Sequence, residues 1–391
     1  MDITIYPRKL AGKIDAIPSK SQAHRVLICA ALSDNETEMI CPDTNRDIEA
    51  TVSCLNAIGA TITRKKNGYS ITPIRSHVKA AHIHCGESGS TLRFMLPIVG
   101  ALGIDTTIHM EGRLPCRPLS PLWEEMERMG CTLTRPTPTT IHCTGKLQQG
   151  TYTIDGGVSS QYITGLMLAL PLIGQASVEV TGTLQSASYV KLTRQVISMF
   201  HSQDHTTPYH SPEIVRIEGD WSNGAFFVAA NELGSFVDIS GLSADSMQGD
   251  RVCVQLVRDL SDHIMIDAAD IPDLVPILAV TAASKKGATF YNISRLRLKE
   301  SDRVQSVINL LSALGAQAYA TDNTLEVHPG AFHGGIVDSC NDHRIAMSAA
   351  IAATSASGPV KILNAQCVEK SYPGFWQAYK QLGGQYEQHV R

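Results

Sequence analysis

The stretch SCLNAIGATITRKKNGYSITP, Ser53 to Pro73, sets out the unit from which the chain is built. A helix-period segment ends on Ile58-Gly59-Ala60, TITRKK follows as a polar strand, and YSITP returns as a second strand. Asn67-Gly68 between the strands is a strong hairpin signal. The same order recurs from Trp123 to Gly145 (WEEMERMG, CTLTRP, a turn, TIHCTG) and from Val307 to Gly330 (VINLLSALGA, QAYATDN, TLEVHPG). Weaker copies run from Arg194 to Gly219 and from Val252 to Asp270, and a last one begins near Ala378. Units of a helix and two strands are supersecondary repeats rather than a short solenoid. Six copies in two groups of three predict two similar α/β domains, residues 17–218 and residues 1–16 with 219–391. The boundary falls near Glu218 to Asp220, ahead of a helical pattern from Ser222 to Leu233. The N-terminal strand has no copy of its own and is expected to pair with the second half, so that the chain crosses between domains twice. A cleft between such halves is a natural ligand site.

Composition narrows the function classes. The chain has 391 residues, 18% charged and 43% hydrophobic, with a net charge of −4. That is an ordinary globular composition with room for two cores. No broad basic stripe argues for nucleic acid, so an anion site has to be local. The ten cysteines are scattered with no Cys-x-x-Cys pair, which predicts reduced thiols and no zinc site. The segment MDITIYPRKLAG reads as a strand without an apolar signal core, and the most apolar run, near Ile163 to Gly174, is too short to span a bilayer. A cytoplasmic protein is expected.

Compact charged motifs are spread along this mildly acidic chain. RLRLKESDR, Arg295 to Arg303, packs Arg295, Arg297, Lys299 and Arg303 around Glu300 and Asp302. Acids and bases at one spot bind polyanions and move protons. IPSKSQAHR sets Lys20, Ser21 and Arg25 at a helix start, where backbone N–H groups suit a phosphate. GESGSTLR brackets a turn with Gly86 and Gly89, offers Ser90 and Thr91 as caps, and places Arg93 in the first helical turns; it is not a Walker A loop. Arg117 is held before Pro118, next to a candidate reactive thiol at Cys116. Ser159, Ser160 and Gln161 open another glycine-led helix. Asp273 sits among apolar residues in IPDLVP, where desolvation is expected to raise its pKa and suit a general base. Asp342, His343 and Arg344 precede a small-residue helix, and Lys370 precedes Tyr372-Pro373. Each motif alone also fits a capped helix or an ordinary turn. His82 and His84 alternate on one strand face beside Cys85, which reads as a surface strand rather than a metal site.

Taken in order, SKSQAHR, GESGSTLR, Arg117-Pro118, SSQ at 159–161, SMQGD at 246–250, IPD at 271–273, LKESDR at 298–303, NDHR at 341–344 and Lys370 closely resemble the 5-enolpyruvylshikimate-3-phosphate synthase family. The resemblance covers nearly the whole chain. It implies two globules, each of three βαβαββ units, joined by a two-strand hinge around an active-site cleft. It also implies transfer of the enolpyruvyl group of phosphoenolpyruvate to shikimate 3-phosphate, with no metal or organic cofactor. By the same resemblance, Lys20, Ser21, Arg25, Ser159, Ser160, Gln161, Ser186, Tyr189, Asp273 and Lys299 meet shikimate 3-phosphate. Lys20, Gly89, Arg93, Arg117, Gln161, Arg303, Arg344 and Lys370 meet phosphoenolpyruvate. Asp273 matches the general base and Glu300 the proton donor, with Lys20 and Lys299 beside the reacting groups. Both substrates carry a phosphate and a carboxylate, which clustered Arg and Lys answer with charge-assisted hydrogen bonds.

Arg295 stands where some family members carry Asn. Gly89 keeps the small residue associated with room for glyphosate, so inhibition competitive with phosphoenolpyruvate is expected. A monomer is expected, with no nucleic-acid or membrane partner. Two alternatives stay open at this point. A UDP-N-acetylglucosamine enolpyruvyl transferase shares the fold, and Cys116 partly resembles the reactive cysteine of that family. A non-catalytic anion-binding homologue would need only the cations, whereas Asp273 and Glu300 are both retained.

Overall fold

The computed structural model describes residues 1–76, 78–201 and 207–389. They form two compact units, Pro18–Glu218 and Met1–Ile17 with Gly219–Arg391. The chain passes between the units at Ile17-Pro18 and at Glu218-Gly219.

The βαβαββ unit is complete at Ala80–Gly145. Strands Ala80–His84 and Asp105–His109 pair in parallel, which requires a crossover, and the helix Gly89–Leu102 supplies it. The helix Leu122–Arg128 then leads into the antiparallel strands Cys131–Thr137 and Thr140–Gly145. The second unit repeats this from Ile264 to Val327, around helices Val275–Ala283 and Arg303–Ala313.

Two sheets are completed from a distance. Strand Ile214–Arg216 pairs in parallel with Thr37–Ile40 and so supplies the edge of the sheet built on Ser53–Pro73. The N-terminal strand Asp2–Tyr6 lies between Val360–Leu363 and Gln385–His389, antiparallel to both, so it pairs with the second half of the chain. The remaining sheets are parallel pairs, Gly150–Asp155 with Ala176–Thr181 and Ala11–Asp15 with Phe236–Ser240. Residues 202–206 of the expected copy at Arg194–Gly219 lie outside the described residues.

One turn differs from the sequence expectation. Lys65 pairs with Gly68, so Lys66-Asn67 make the hairpin turn and Gly68 already belongs to the returning strand. A Cβ at Gly68 would lie 1.8 Å from the carbonyl oxygen of Met39 on the neighbouring strand. The glycine is therefore required by close backbone approach across the sheet rather than by the turn.

Each unit has one hydrophobic core. At its centre run helices that are buried almost all round: Lys20–Ala31, Gly89–Leu102 and Ser160–Ala169 in one unit, and Trp221–Glu232, Val275–Ala283 and His343–Ala353 in the other. Side-chain caps fix several of their starts. Ser88, Ser159, Asp220 and Asp342 each accept a backbone N–H of the helix that follows. The cap expected from Ser90 or Thr91 is made instead by Ser88, because the helix starts at Gly89. Among the described residues, no helix is long and apolar enough to cross a membrane.

Candidate active site

Within each unit, most of the charged motifs lie at helix starts. In the unit Pro18–Glu218, Lys20 opens its helix and its ammonium reaches Asp47 Oδ2 at 2.9 Å. Arg25 lies one turn further on and is 3% exposed. Its Nε donates to Thr193 Oγ1 at 2.8 Å, Nη1 to the Ser21 carbonyl at 2.5 Å, and Nη2 to Thr164 Oγ1 at 3.3 Å and the Tyr189 carbonyl at 3.2 Å. Burial pushes the Arg25 guanidinium down to about 10, which leaves it charged at neutral pH.

Arg93 and Gln161 tie two helix starts together. Arg93 Nη1 donates to Gln161 Oε1 at 3.0 Å and Nη2 to the Pro118 carbonyl at 3.0 Å. The Gln161 amide donates to Ser90 Oγ at 3.0 Å. Ser159 caps its helix, Ser160 is buried behind it, and Ser186 is buried in a left-handed conformation (φ 55°) before the helix Ala187–Met199. Arg117 follows the short turn Leu114–Cys116 in extended conformation, as its proline neighbour predicts. Its Nη1 lies 2.6 Å from where a Cβ on Gly89 would stand, so Gly89, Arg93 and Arg117 form one cluster.

The unit containing residues 219–391 holds a denser set around Arg303, which is 1% exposed. Its Nη1 donates to Asp273 Oδ1 at 2.5 Å, Nη2 to Glu300 Oε2 at 2.6 Å and Nε to Asp342 Oδ2 at 2.8 Å. Lys299 Nζ stands 3.8 Å from Asp273 Oδ1, and Arg344 Nη2 stands 3.6 Å from Asp273 Oδ2. Arg344 Nη1 donates to the Ser222 carbonyl at 2.7 Å. Lys370 is buried and donates to the Asn341 carbonyl at 2.9 Å.

The electrostatics reverse one sequence expectation. Burial by itself raises the Asp273 pKa, but Lys299, Arg303 and Arg344 together hold it well below the ordinary carboxylate range. Desolvation does dominate at Lys299, whose pKa burial pushes down to about 8 despite the pull of Asp273. Asp273 is also not a helix cap, since its helix begins at Val275 behind Leu274.

Sequence reasoning passed over several partners. The sequence places Asp342 ahead of a helix but gives it no partner, yet it takes Arg303, the Ser301 hydroxyl at 3.1 Å and the Arg344 backbone N–H at 2.9 Å. Asp47, Thr164 and Thr193 carry no motif signal. Asp47 follows the helix cap Asn45 by two residues, which was the available clue. Arg297 turns away to Asp302 at 3.3 Å and the Thr321 carbonyl. Cys116 is exposed, and the ten cysteines are free. His82 and His84 do lie on an exposed strand face, where His109 stacks on His84 with ring centroids 4.4 Å apart. Among the described residues no group of three or more His, Cys, Asp or Glu side chains is placed to hold a metal.

The chain matches the family model described as EPSP synthase (3-phosphoshikimate 1-carboxyvinyltransferase) over residues 5–268 and 257–379. It is 37% identical to a 3-phosphoshikimate 1-carboxyvinyltransferase of Clostridium kluyveri, covering 99% of this chain and 98% of the relative. It is 36% identical to the Clostridium novyi protein of the same name, covering 98% of each. An EPSP synthase structure from Acinetobacter baumannii superposes with a TM-score of 0.79 at 20% identity, over 99% of this chain and 100% of that one. An enolpyruvyl transferase from Streptomyces tendae superposes with a TM-score of 0.74 at 17% identity, over 100% of this chain and 99% of that one. At those identities the structures speak for the two-domain βαβαββ fold alone, while the model and the Clostridium relatives carry the assignment: the chain belongs to the EPSP synthase family.

Proposed function

We infer that the protein transfers the enolpyruvyl group of phosphoenolpyruvate to the 5-hydroxyl of shikimate 3-phosphate, a step toward chorismate and the aromatic amino acids. The observation that carries the residue roles is the buried Arg303 guanidinium, hydrogen-bonded at once to Asp273 and Glu300. A simple anion site has no use for two carboxylates on its central cation. An acid–base reaction on anionic substrates needs both.

In this reading Lys20, Ser21, Arg25, Ser159, Ser160, Gln161, Ser186 and Tyr189 receive shikimate 3-phosphate. Lys20, Arg93, Arg117, Gln161, Arg303, Arg344 and Lys370 receive phosphoenolpyruvate, with Gly89 leaving room beside them. Glu300 delivers a proton to the methylene carbon of phosphoenolpyruvate, which makes the adjacent carbon electrophilic. The 5-hydroxyl oxygen bonds to that carbon as Asp273 takes its proton, giving a tetrahedral adduct. Glu300 then removes a methyl proton, the carbon–oxygen bond to phosphate breaks, and Asp273 returns its proton to the departing phosphate, so that the enol ether and both carboxyl groups are restored.

The low pKa of Asp273 fits this scheme through its cause. The cations that hold it down are among those the substrate anions engage, so each bound anion weakens their field and makes Asp273 a better base. The site is thus poorly basic when empty and more basic when filled. The same reading makes the protein a cytoplasmic monomer that glyphosate inhibits in competition with phosphoenolpyruvate. The test is phosphate release from phosphoenolpyruvate with either shikimate 3-phosphate or UDP-N-acetylglucosamine. Release that requires shikimate 3-phosphate supports the reading, and release only with the nucleotide sugar refutes it.

A further inference from the structure

The segment SMQGD, Ser246 to Asp250, belongs to the ordered set of motifs, yet none of its side chains is among those proposed above to meet a substrate. It braces the start of the helix Trp221–Glu232. Gln248 Oε1 accepts the Trp221 backbone N–H at 3.0 Å, and its amide donates to the Gly219 carbonyl at 2.8 Å. The Ser222 hydroxyl donates to Asp250 Oδ2. The carbonyl of the same Ser222 is the one that accepts Arg344 Nη1 at 2.7 Å. Ser222, Asp250 and Arg344 are all buried. Asp250 Oδ1 and Arg344 Nε have no hydrogen-bond partner among the described residues.

A guanidinium is planar and rigid, so fixing one end sets the direction of the other. Arg344 Nη1 is fixed on Ser222, and Nη2 points toward Asp273. The groups that face Asp250 are Ser222 and Asp220 at the start of their helix, Asp273 ahead of the helix Val275–Ala283, and Arg344 in the helix His343–Ala353. Burial first, then the Asp273 charge, push the Asp250 carboxyl up to about 7 against the pull of Ser222 and Arg344. A neutral amide is therefore a fair replacement for it.

We propose that Asp250 is a positioning residue: through the Ser222 hydroxyl it fixes the backbone carbonyl that orients Arg344 for phosphoenolpyruvate. The proposal rests on the reading of Arg344 as a phosphoenolpyruvate ligand. Its test is steady-state kinetics of the full chain carrying Asp250→Ala, Asp250→Asn or Ser222→Ala, with and without Arg344→Lys. Asp250→Ala and Ser222→Ala are expected to raise the KM for phosphoenolpyruvate about tenfold, with much smaller changes in kcat and in the KM for shikimate 3-phosphate. Asp250→Asn keeps an acceptor oxygen for Ser222 and should recover most of the loss. In the Arg344→Lys background, Asp250→Ala should add less than about twofold, because its route is already cut. Equal effects in both backgrounds, or an Asn variant as impaired as the Ala variant, would overturn the positioning role. Should Asp250→Ala not fold, Ser222→Ala removes one hydroxyl and puts the same question. If Arg344→Lys itself leaves the phosphoenolpyruvate KM unchanged, the ligand reading beneath the proposal is the part that fails.

Discussion

Replacing Gly89 with Ala tests the proposed phosphoenolpyruvate site with a single methyl group. Its Cβ would stand 2.5 Å from Arg93 Nη1 and 2.6 Å from Arg117 Nη1, where ordinary contact begins at 3.4 Å. Gly89 has no left-handed backbone, so Ala fits the helix start, and the obstructing atoms are the ends of flexible side chains. The fold should therefore survive while both guanidinium groups retreat by about 0.8–0.9 Å, the shortfall from that contact distance. For Arg93 such a retreat is enough to break its 3.0 Å bond to Gln161 Oε1. A charge-assisted hydrogen bond contributes about 1.5–3 kcal/mol, or roughly 10- to 100-fold in an equilibrium constant. The KM for phosphoenolpyruvate should rise by that factor. The inhibition constant of glyphosate should rise at least as much, and the KM for shikimate 3-phosphate should change little. Coupled phosphate-release kinetics read all three, and a melting curve checks the fold. A well-folded variant with unchanged phosphoenolpyruvate KM would refute the reasoning, and so would one in which both substrate constants move together.

Other substitutions separate binding from chemistry. Glu300→Gln should lower kcat by about 10²- to 10⁴-fold while leaving shikimate 3-phosphate affinity, measured by calorimetry, nearly intact; parallel loss of both would contradict the proton-donor role. Asp342→Ala leaves the buried Arg303 Nε and the Arg344 N–H without their partner, and urea unfolding should show a loss of about 3–5 kcal/mol. With the Lys299 pKa pushed down to about 8, its cation disappears as pH rises through that value. The kcat/KM for phosphoenolpyruvate should then fall on the alkaline side near pH 8, and Lys299→Arg should carry that limb upward. An alkaline limb unmoved by the substitution assigns it to another group.

The repeat was legible because a helix, two alternating strands and a turn leave different periodicities, and three copies preserve all of them. Which strand completes which sheet was less legible. Ile214–Arg216 sits beside Thr37–Ile40 although about 175 residues separate them, and nothing in a short strand's own pattern names so distant a partner. The slip at Lys66-Asn67 has a similar origin. Asn-Gly is a local turn signal, but Gly68 answers to the carbonyl of Met39 on another strand. At the site, residue types were readable and their fields were not. Burial at Asp273 was inferable from its apolar flanks. The cations that outweigh it come from residues 299, 303 and 344, brought together only by packing.

The two units divide the electrostatic work. In Pro18–Glu218, Lys20 is paired with Asp47, but the hydrogen bonds of the buried Arg25 go to neutral oxygens, from threonine hydroxyls and backbone carbonyls. Neutral partners orient a cation without cancelling its charge, so the field remains available to a phosphate. In the other unit, Arg303 is shared among Asp273, Glu300 and Asp342, and Asp273 also faces Lys299 and Arg344. A lattice with charges so closely matched offers less net attraction to an anion, but a small change in the occupancy of any cation moves the proton affinity of every carboxylate beside it. On the proposed roles, the first set serves chiefly to hold shikimate 3-phosphate, while the second combines phosphoenolpyruvate binding with proton transfer. A consequence is that added salt should weaken shikimate 3-phosphate binding more steeply than it depresses kcat at saturation, since screening acts on the long-range field of an uncancelled cation before it reaches a buried, paired one.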